Sequence, residues 1–411
     1  MSRILVDQVR SNSASSDALT LDGSGNVTVP GNITLSGTAT GFPKGKAQNL
    51  IINGAMQVAQ RGTSSTTNGY GSVDRFPIYN QSTDEAPTHA QVDVASGTTP
   101  YTLGFRKALK ITNGNQTSGA GGNDLVAISY GIEAQDLATS GWNYLSSSSN
   151  ITLSFWVKSS VAQNFYVMIR SEDGTQYNYV VETGSLSADT WTKVTKTIPG
   201  NSNLTINNDN GRGMLMEFVL FRGTNGTGSL TLNQWAAYDT AARVPDMTST
   251  WYTTNDATFE ITGVQLEVGD SASDFTHESY AETLRKCQRY CVRYNQTDTG
   301  ELINICGAAR SAHAKWFVMH LSTPMRSDPT VTRVGQTRLG MSDFTYENGS
   351  DTLTVGGVTP TAKLGEPACD KLIFYYNGTI SGMTNQANAM YFLMWNTYSS
   401  GVYTLTFDAE L

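Results

Sequence analysis

Apolar and polar residues alternate in short triplets along the first 48 residues. Leu-Thr-Leu at 19–21, Val-Thr-Val at 27–29 and Ile-Thr-Leu at 33–35 each have the period of a β-strand. Glycine or proline follows each triplet within two residues, so the predicted strands are very short. One copy cannot bury its own apolar face, and we predict that identical copies wind into an oligomeric β-stalk. The alternative is a flexible linker rich in glycine, serine and threonine. The residues predicted to pack between copies are Leu19, Leu21, Val27, Val29, Ile33 and Leu35.

Longer alternating runs continue to the end of the chain, with Asn-Gly and Asp-Gly pairs that favour tight hairpin turns between some of them. They predict strands at 108–112, 150–158, 164–170, 191–198, 213–220, 257–266, 314–321, 330–334, 372–376, 390–395 and 401–407. One short helix is predicted after Ser279, because Glu282 follows at the capping-box spacing. We therefore predict an all-β chain with a stalk at 1–48 and two antiparallel, jelly-roll-like β-sandwiches at 49–286 and 287–411.

Charge and hydropathy argue against several classes of function. Charged residues make up 15% of the 411 residues, against about 25% in an average globular protein, and the net charge is −8. Without a basic block, we expect no nucleic-acid binding. No apolar run approaches the roughly 18 residues that a membrane-spanning helix needs, so we expect no membrane insertion. The first residues lack the long apolar segment of a secretory signal, which predicts synthesis in the cytoplasm.

Residues for catalysis or metal binding do not form recognisable motifs. The four histidines lack metal-ligand spacing, and the four cysteines are interpreted as reduced and mostly buried. We therefore expect no metal, no cofactor and no enzymatic activity. A glycosidase needs two carboxylates about 5–10 Å apart. The candidates are Glu133, Asp136, Glu217, Glu260 and Glu267, and the simpler interpretation is that they are solvated or capping groups.

Aromatic residues in polar, turn-rich sequence are the better indication of a binding site. Sugars present C–H faces that stack on aromatic rings, while amide and hydroxyl groups satisfy their hydroxyls. We predict that Trp235, Trp251 and Tyr252 bind glycan, although any single aromatic residue is more often part of a core. Trp156 lies inside a predicted strand and is assigned to the core. The other loop candidates are Tyr70, Trp142, Tyr144 and Tyr238.

Three stretches carry a family resemblance. The first begins with NLIINGAMQVAQRGT at 49–63 and continues to DRF at 74–76. The second runs from FEITGVQLEVG at 259–269 to CQRY at 287–290, and the third combines PMRSDPT at 324–330 with FDAEL at 407–411. Together they resemble tail-fibre and related virion structural proteins of tailed bacteriophages, particularly of aquatic phages. Such proteins often carry a jelly-roll module like a carbohydrate-binding module.

This resemblance covers residues 49–411 and implies a short homotrimeric tail fibre in the virion, made in the cytoplasm of the host. Its N-terminus would attach to other virion proteins, such as a tail adaptor, nozzle or capsid protein, and its sandwiches would bind host surface polysaccharide. A head- or tail-decorating appendage without a receptor role is the alternative. We interpret the Gln60-Arg61-Gly62 and Asp74-Arg75 motifs as a salt bridge that ties a long loop to the sheet, with ligand contact as the alternative. Gln265, Glu267 and the helix after them are interpreted as the connection between the two sandwiches.

Overall fold

A computed structural model describes residues 49–295 in full. It also describes residues 8–9, 19–21, 27–28, 302–311, 314–334, 339–343, 353–355, 359–362, 369–377, 390–394 and 404–411. Internal contacts divide the chain into two compact units, Met1–Lys46 and Ala47–Leu411. The domain boundaries at 48 and 286 stay predictions.

The first unit contains three short strands, β1 (Gln8–Val9), β2 (Leu19–Leu21) and β3 (Val27–Thr28), which form one antiparallel sheet. The first two predicted triplets therefore contain strands. Val27 is 55% exposed in the single chain, so its apolar side chain is not buried there. Val29, Ile33 and Leu35 lie outside the described residues, and assembly through these side chains stays a prediction.

Twelve strands between residues 64 and 268 form a β-sandwich. They are β4 (Ser64–Ser65), β5 (Ile78–Gln81), β6 (Thr88–Asp93), β7 (Lys107–Thr112), β8 (Leu125–Glu133), β9 (Asn150–Ser159), β10 (Tyr166–Ser171), β11 (Tyr177–Glu182), β12 (Thr192–Pro199), β13 (Arg212–Arg222), β14 (Trp235–Ala237) and β15 (Thr258–Val268). Sheet 1 has the order β14-β11-β10-β13-β8-β5, and sheet 2 has the order β12-β9-β15-β7-β6-β4. Both six-stranded sheets are antiparallel, which confirms the predicted fold class.

One hydrophobic core fills the space between the two sheets. On β9, Ile151, Leu153 and Phe155 point inward and are fully buried. The Phe155 ring meets Phe218 of β13 edge to face, with ring centroids 5.0 Å apart. Burying one such side chain contributes about 1.5–3 kcal/mol, so strict alternation along β9 fixes which face meets the core.

Four short helices complete this part of the chain. They are α1 (Thr99–Thr102), α2 (Ala134–Ala138), α3 (Thr250–Thr253) and α4 (Tyr280–Gln288). The predicted cap of α4 is confirmed, because Oγ of Ser279 accepts a hydrogen bond from the backbone N–H of Glu282 at 3.2 Å. Among the described residues, no helix is long and apolar enough to cross a membrane.

Strands follow one another again after α4. They are β16 (Cys291–Asn295), β17 (Leu302–Ser311), β18 (Ala314–Met325), β19 (Thr330–Val334), β20 (Leu339–Asp343), β21 (Leu353–Val355), β22 (Thr359–Ala362), β23 (Cys369–Asn377), β24 (Met390–Met394) and β25 (Thr404–Asp408). They form an antiparallel three-stranded sheet, β16-β25-β19, and an antiparallel seven-stranded sheet, β21-β20-β24-β17-β18-β23-β22. The last strand, β25, is paired on both edges, and it corresponds to the run predicted at 401–407.

Arg75 joins the first sandwich to the end of the chain. Its buried guanidinium donates hydrogen bonds to a carboxylate oxygen of Glu410 and to the carbonyl oxygen of Gly131, the latter at 2.7 Å. The guanidinium carbon also lies 3.5 Å from the centroid of the Tyr290 ring. Burial opposes the charged form, but the Glu410 carboxylate holds the pKa of Arg75 well above its usual value. Loss of either partner would leave an unpaired buried charge, which is strongly destabilising.

The salt bridge predicted between the Gln60-Arg61-Gly62 and Asp74-Arg75 motifs is wrong, because Arg61 and Arg75 both pair with carboxylates near the end of the chain. Arg61 binds Asp408 at 2.8 Å instead, so it ties the sandwich to β25 rather than a loop to its own sheet. Asp74 accepts hydrogen bonds from the backbone N–H and the side-chain amide of Gln60, at 2.9 and 2.5 Å. Burial raises the pKa of Asp74 to about 6. The ion-pair partner of Arg61 is therefore a residue far away in the sequence, which the local sequence pattern does not indicate.

Glu133 at the end of β8 makes a second connection to the residues after α4. Its two carboxylate oxygens accept hydrogen bonds from Nε and Nη2 of Arg289, both at 2.7 Å, and one also accepts from the hydroxyl of Tyr290. Burial alone would raise the pKa of Glu133, but these hydrogen bonds lower it. The carboxylate is thus a structural group held by a bidentate arginine.

Candidate functional site

Trp235, Trp251 and Tyr252, the predicted glycan-binding residues, are buried. Their exposed fractions are 7%, 0% and 1%. The prediction that these rings lie open on loops is therefore wrong. Trp251 and Tyr252 lie on α3 and Trp235 lies on β14, and all three pack into the core of the sandwich.

The polar atoms of these rings are satisfied inside the protein. Nε1 of Trp235 donates to the carbonyl oxygen of Pro199 at 2.7 Å, and Nε1 of Trp251 donates to that of Thr258 at 3.1 Å. The Tyr252 ring stacks on Phe221 with centroids 4.2 Å apart. The three residues therefore lie in polar sequence and still pack into the core. The indole N–H groups of both tryptophans donate to backbone carbonyl oxygens, as those of buried tryptophans usually do.

Several aromatic rings lie on the outer face of sheet 2, and some of them are only partly buried. Trp156 of β9 points away from the core and belongs to a separate outer cluster with Phe105, Trp191 and Phe275. Its assignment to the core is therefore wrong. The sequence does carry the signal, because Ile151, Leu153, Phe155 and Val157 occupy the inward phase of β9 and Trp156 has the opposite phase.

Cross-strand pairing determines which side chains surround Trp156. Its direct partners are Lys193 on β12 and Thr262 on β15. The next outward residue of β9 is Lys158, whose Nζ lies 3.0 Å from a carboxylate oxygen of Glu260 and 5.2 Å from the centroid of the Trp191 ring. The outer face therefore combines aromatic surface with charged groups at fixed positions.

A groove of about 460 Å³ runs over this face, which is within the usual size range of ligand sites. Its floor includes Trp156, Ser154 and Lys193, and a wall rises from α1 and from residues 273–277. The lining residues are Thr102, Leu103, Gly104, Phe105, Ser154, Trp156, Lys193, Gly263, Ser273, Asp274, Phe275 and His277.

Three aromatic rings form the wall. The rings of Phe105, Phe275 and His277 contact one another with centroids 4.9 to 5.0 Å apart. Nε2 of His277 lies 2.8 Å from the carbonyl oxygen of Leu103, to which its N–H donates. Gly263 has a positive φ of 63° at a β-bulge, and a Cβ there would come within 2.6 Å of the Phe105 ring. The bulge and its glycine therefore give Phe105 its position.

Gln265 and Glu267 hold the segment that carries this wall. Oε1 of Gln265 accepts from the backbone N–H of Thr276 at 3.0 Å. Oε1 of Glu267 accepts from the backbone N–H of Ser273, and Oε2 accepts from its hydroxyl, both at 2.7 Å. The predicted connection is therefore wrong for Gln265 and Glu267, whose described contacts position the groove wall instead. The helix α4 does contact β18, since the hydroxyl of Ser322 donates to Oε1 of Gln288 at 2.9 Å.

The carboxylates considered for glycan cleavage occupy separate structural interactions. Glu133 binds Arg289, Glu217 accepts from Ser129 at 3.2 Å, and Glu260 pairs with Lys158. Burial is the main cause that raises the pKa of Asp136. Asp274 is the one carboxylate among the residues that line the groove. The arrangement can hold a sugar ring on Trp156, and it does not present two facing carboxylates in the groove.

Two of the four cysteines are reduced and buried, as predicted. Cys287 and Cys291 are free and buried, and burial raises the pKa of both thiols. The side chains of Cys306 and Cys369 lie outside the described residues. A buried thiol with a raised pKa is unreactive, so neither described cysteine is a candidate nucleophile.

No protein-family model matches this chain, and no curated protein matches it in sequence. Among solved structures, it is similar to the enzymatically active domain of tailspike protein 4 of bacteriophage CBA120, with 10% identity and a TM-score of 0.28 over 54% of this chain. This match spans 21% of the tailspike chain, about a fifth of its length.

Two further similar structures are carbohydrate-binding domains. The N-terminal cellulose-binding domain of Cellulomonas fimi β-1,4-glucanase C matches with 11% identity and a TM-score of 0.26, over 52% of this chain and 100% of that domain. The CBM22-1 xylan-binding domain of Paenibacillus barcinonensis Xyn10C matches with 9% identity and a TM-score of 0.26, over 55% of this chain and 97% of that domain. TM-scores this low establish no shared function, so the function of this chain has to be inferred from its own residues.

Proposed function

We propose that this protein is a non-catalytic glycan-binding protein and that the groove on the outer face of sheet 2 is its sugar site. The observation that carries the proposal is the partly buried Trp156 ring, which lines the groove floor with hydrogen-bonding side chains beside it. An aromatic face contacts the apolar face of a sugar, and neighbouring polar groups satisfy its hydroxyls.

The proposal extends to a virion. The resemblance of residues 49–411 to phage tail-fibre proteins supports a short homotrimeric fibre that attaches to the particle through its N-terminus and contacts host surface polysaccharide. The exposed Val27 of β3 supports assembly, because packing between copies would remove this apolar side chain from water. Three linked sites would raise a weak affinity through effective concentration. Labelled protein located on the tail of the particle agrees with a fibre, whereas regular positions on the capsid would assign a decorating appendage.

Glycan binding is tested with purified protein on an array of bacterial surface polysaccharides, followed by titration of the bound members. We expect Trp156→Ala to weaken binding at least tenfold, because the stacking surface is lost. Tyr280→Ala is the matched control, since Tyr280 is 56% exposed on α4 and does not line the groove. Equal affinities of the Trp156→Ala variant and the unmodified protein would contradict the proposed site.

A further inference from the structure

The groove contains charged groups that have no ion-pair partner among the residues that the structure describes. Lys193 and Asp274 both line it and are exposed. In the part of the chain that the structure describes, neither side chain forms an ion pair. Neighbouring lysines on sheet 2 do, since Lys158 binds Glu260 at 3.0 Å and Lys107 binds Asp93 at 2.6 Å. Lys193 therefore offers a cation to whatever occupies the groove.

The position of Lys193 relative to Trp156 suggests what it contacts. The two residues are direct cross-strand partners, so their Cβ atoms lie about 4.5–5.5 Å apart on the same face. A sugar ring stacked on Trp156 would bring a substituent at its edge within reach of the flexible ammonium group. A carboxylate there would form a charge-assisted hydrogen bond, which is about twice as strong as a neutral one.

The opposite wall suits the other side of such a sugar. The Asp274 carboxylate is a hydrogen-bond acceptor without a partner on its side chain among the described residues, and ring hydroxyls are donors. Its charge also disfavours a second acidic group at that wall. The groove is thus asymmetric, with a cation at the floor beside the tryptophan and an anion at the wall.

We infer that the groove selects acidic glycans, in which the carboxylate of a uronic acid or similar acidic sugar pairs with Lys193 while that sugar ring lies on Trp156. This inference rests on the proposed glycan-binding function and adds the class of sugar to it. Because Lys193 is exposed, we expect a preference of about fivefold over a neutral sugar, and salt should reduce it.

The test uses uronic-acid oligosaccharides and their carboxyl-reduced counterparts, which differ only in the charge-bearing group. Titration of the unmodified protein should show tighter binding of the acidic member of each pair. Lys193→Gln should abolish the preference, and Lys193→Arg should keep most of it. Asp274→Asn should strengthen acidic binding, because a repelling charge is removed. Lys196→Gln is the matched control, since Lys196 lies on the same strand, outside the groove lining.

The outcomes separate the inference from the proposed function. Equal binding of both members, with loss of binding in Trp156→Ala, would overturn the acidic preference and retain the sugar site. Equal loss of both members in Lys193→Gln would show that Lys193 acts as an ordinary hydrogen-bond donor, which also overturns the preference. Failure of every oligosaccharide and polysaccharide to bind would overturn the proposed function together with the inference.

Discussion

The outer faces of the two sheets of the sandwich differ in how far other segments of the chain cover them. On sheet 1, Met168, Val180 and Val219 are buried beneath Val244 and other residues of the 230–247 segment. On sheet 2, α1 and residues 273–277 cover one side and leave Trp156 and Lys193 accessible beside them. The outer face of sheet 1 is thus covered by the 230–247 segment, whereas the outer face of sheet 2 retains an open groove lined partly by aromatic rings.

Charged groups show the same difference. Beside the covered face of sheet 1, Glu172 accepts from Arg170 at 2.6 Å and from Arg212 at 2.9 Å, and the guanidinium of Arg170 lies 4.4 Å from the centroid of the Tyr238 ring. In the groove of sheet 2, Lys193 has no such partner among the described residues. The difference is confined to the groove, because Lys158 and Glu260 also pair on the outer face of sheet 2, whereas Lys193 beside Trp156 stays available to a ligand.

The largest expected effect distinguishes buried from accessible tryptophans. Trp251→Ala should lower the free energy of unfolding by about 3–5 kcal/mol, because it leaves a cavity in the core. Trp156→Ala should cost less stability, since its ring is only partly buried. Chemical denaturation of both variants measures this. If Trp156→Ala destabilises the protein as much as Trp251→Ala does, the groove floor is part of the core and the comparison fails.

A smaller effect concerns the glycine that positions the groove wall. Gly263→Ala should cost about 1–2 kcal/mol from its positive φ and should also weaken glycan binding, because the new Cβ displaces Phe105. Gly97→Ala is the matched control, since Gly97 has a φ of 83° and no atom lies within 4 Å of the Cβ that alanine would add. Calorimetric unfolding and oligosaccharide titration of both variants separate the two contributions. Unchanged binding in Gly263→Ala would mean that the wall does not shape the site.

Strict alternation makes much of the sandwich predictable. The run at 150–158 corresponds to β9, and the run at 257–266 corresponds to β15, within two residues at each end. Strand β8 is absent from the predicted strands, because its residues 126–133 are all buried and its sequence does not alternate clearly. A strand with two covered faces lacks the period that identifies half-buried strands.

The candidate site is less predictable than the strands. Trp251 and Tyr252 lie in polar sequence, yet the short helix α3 turns both rings into the core. Trp156 lies in a regular strand, and only its phase relative to Phe155 indicates that it faces outward. The wall depends on Gly263, Gln265 and residues 273–277 meeting α1, and contacts between such distant segments are not encoded in any local pattern.

The most direct test of the central claim, that sheet 2 holds the sugar, is a crystal structure of the protein with a bound oligosaccharide from the array. We expect a sugar ring parallel to the Trp156 ring at van der Waals distance, with a polar substituent at hydrogen-bond distance from Nζ of Lys193. A sugar bound on the covered face of sheet 1 or on the strands after residue 295, with the sheet 2 groove unoccupied, would contradict the account.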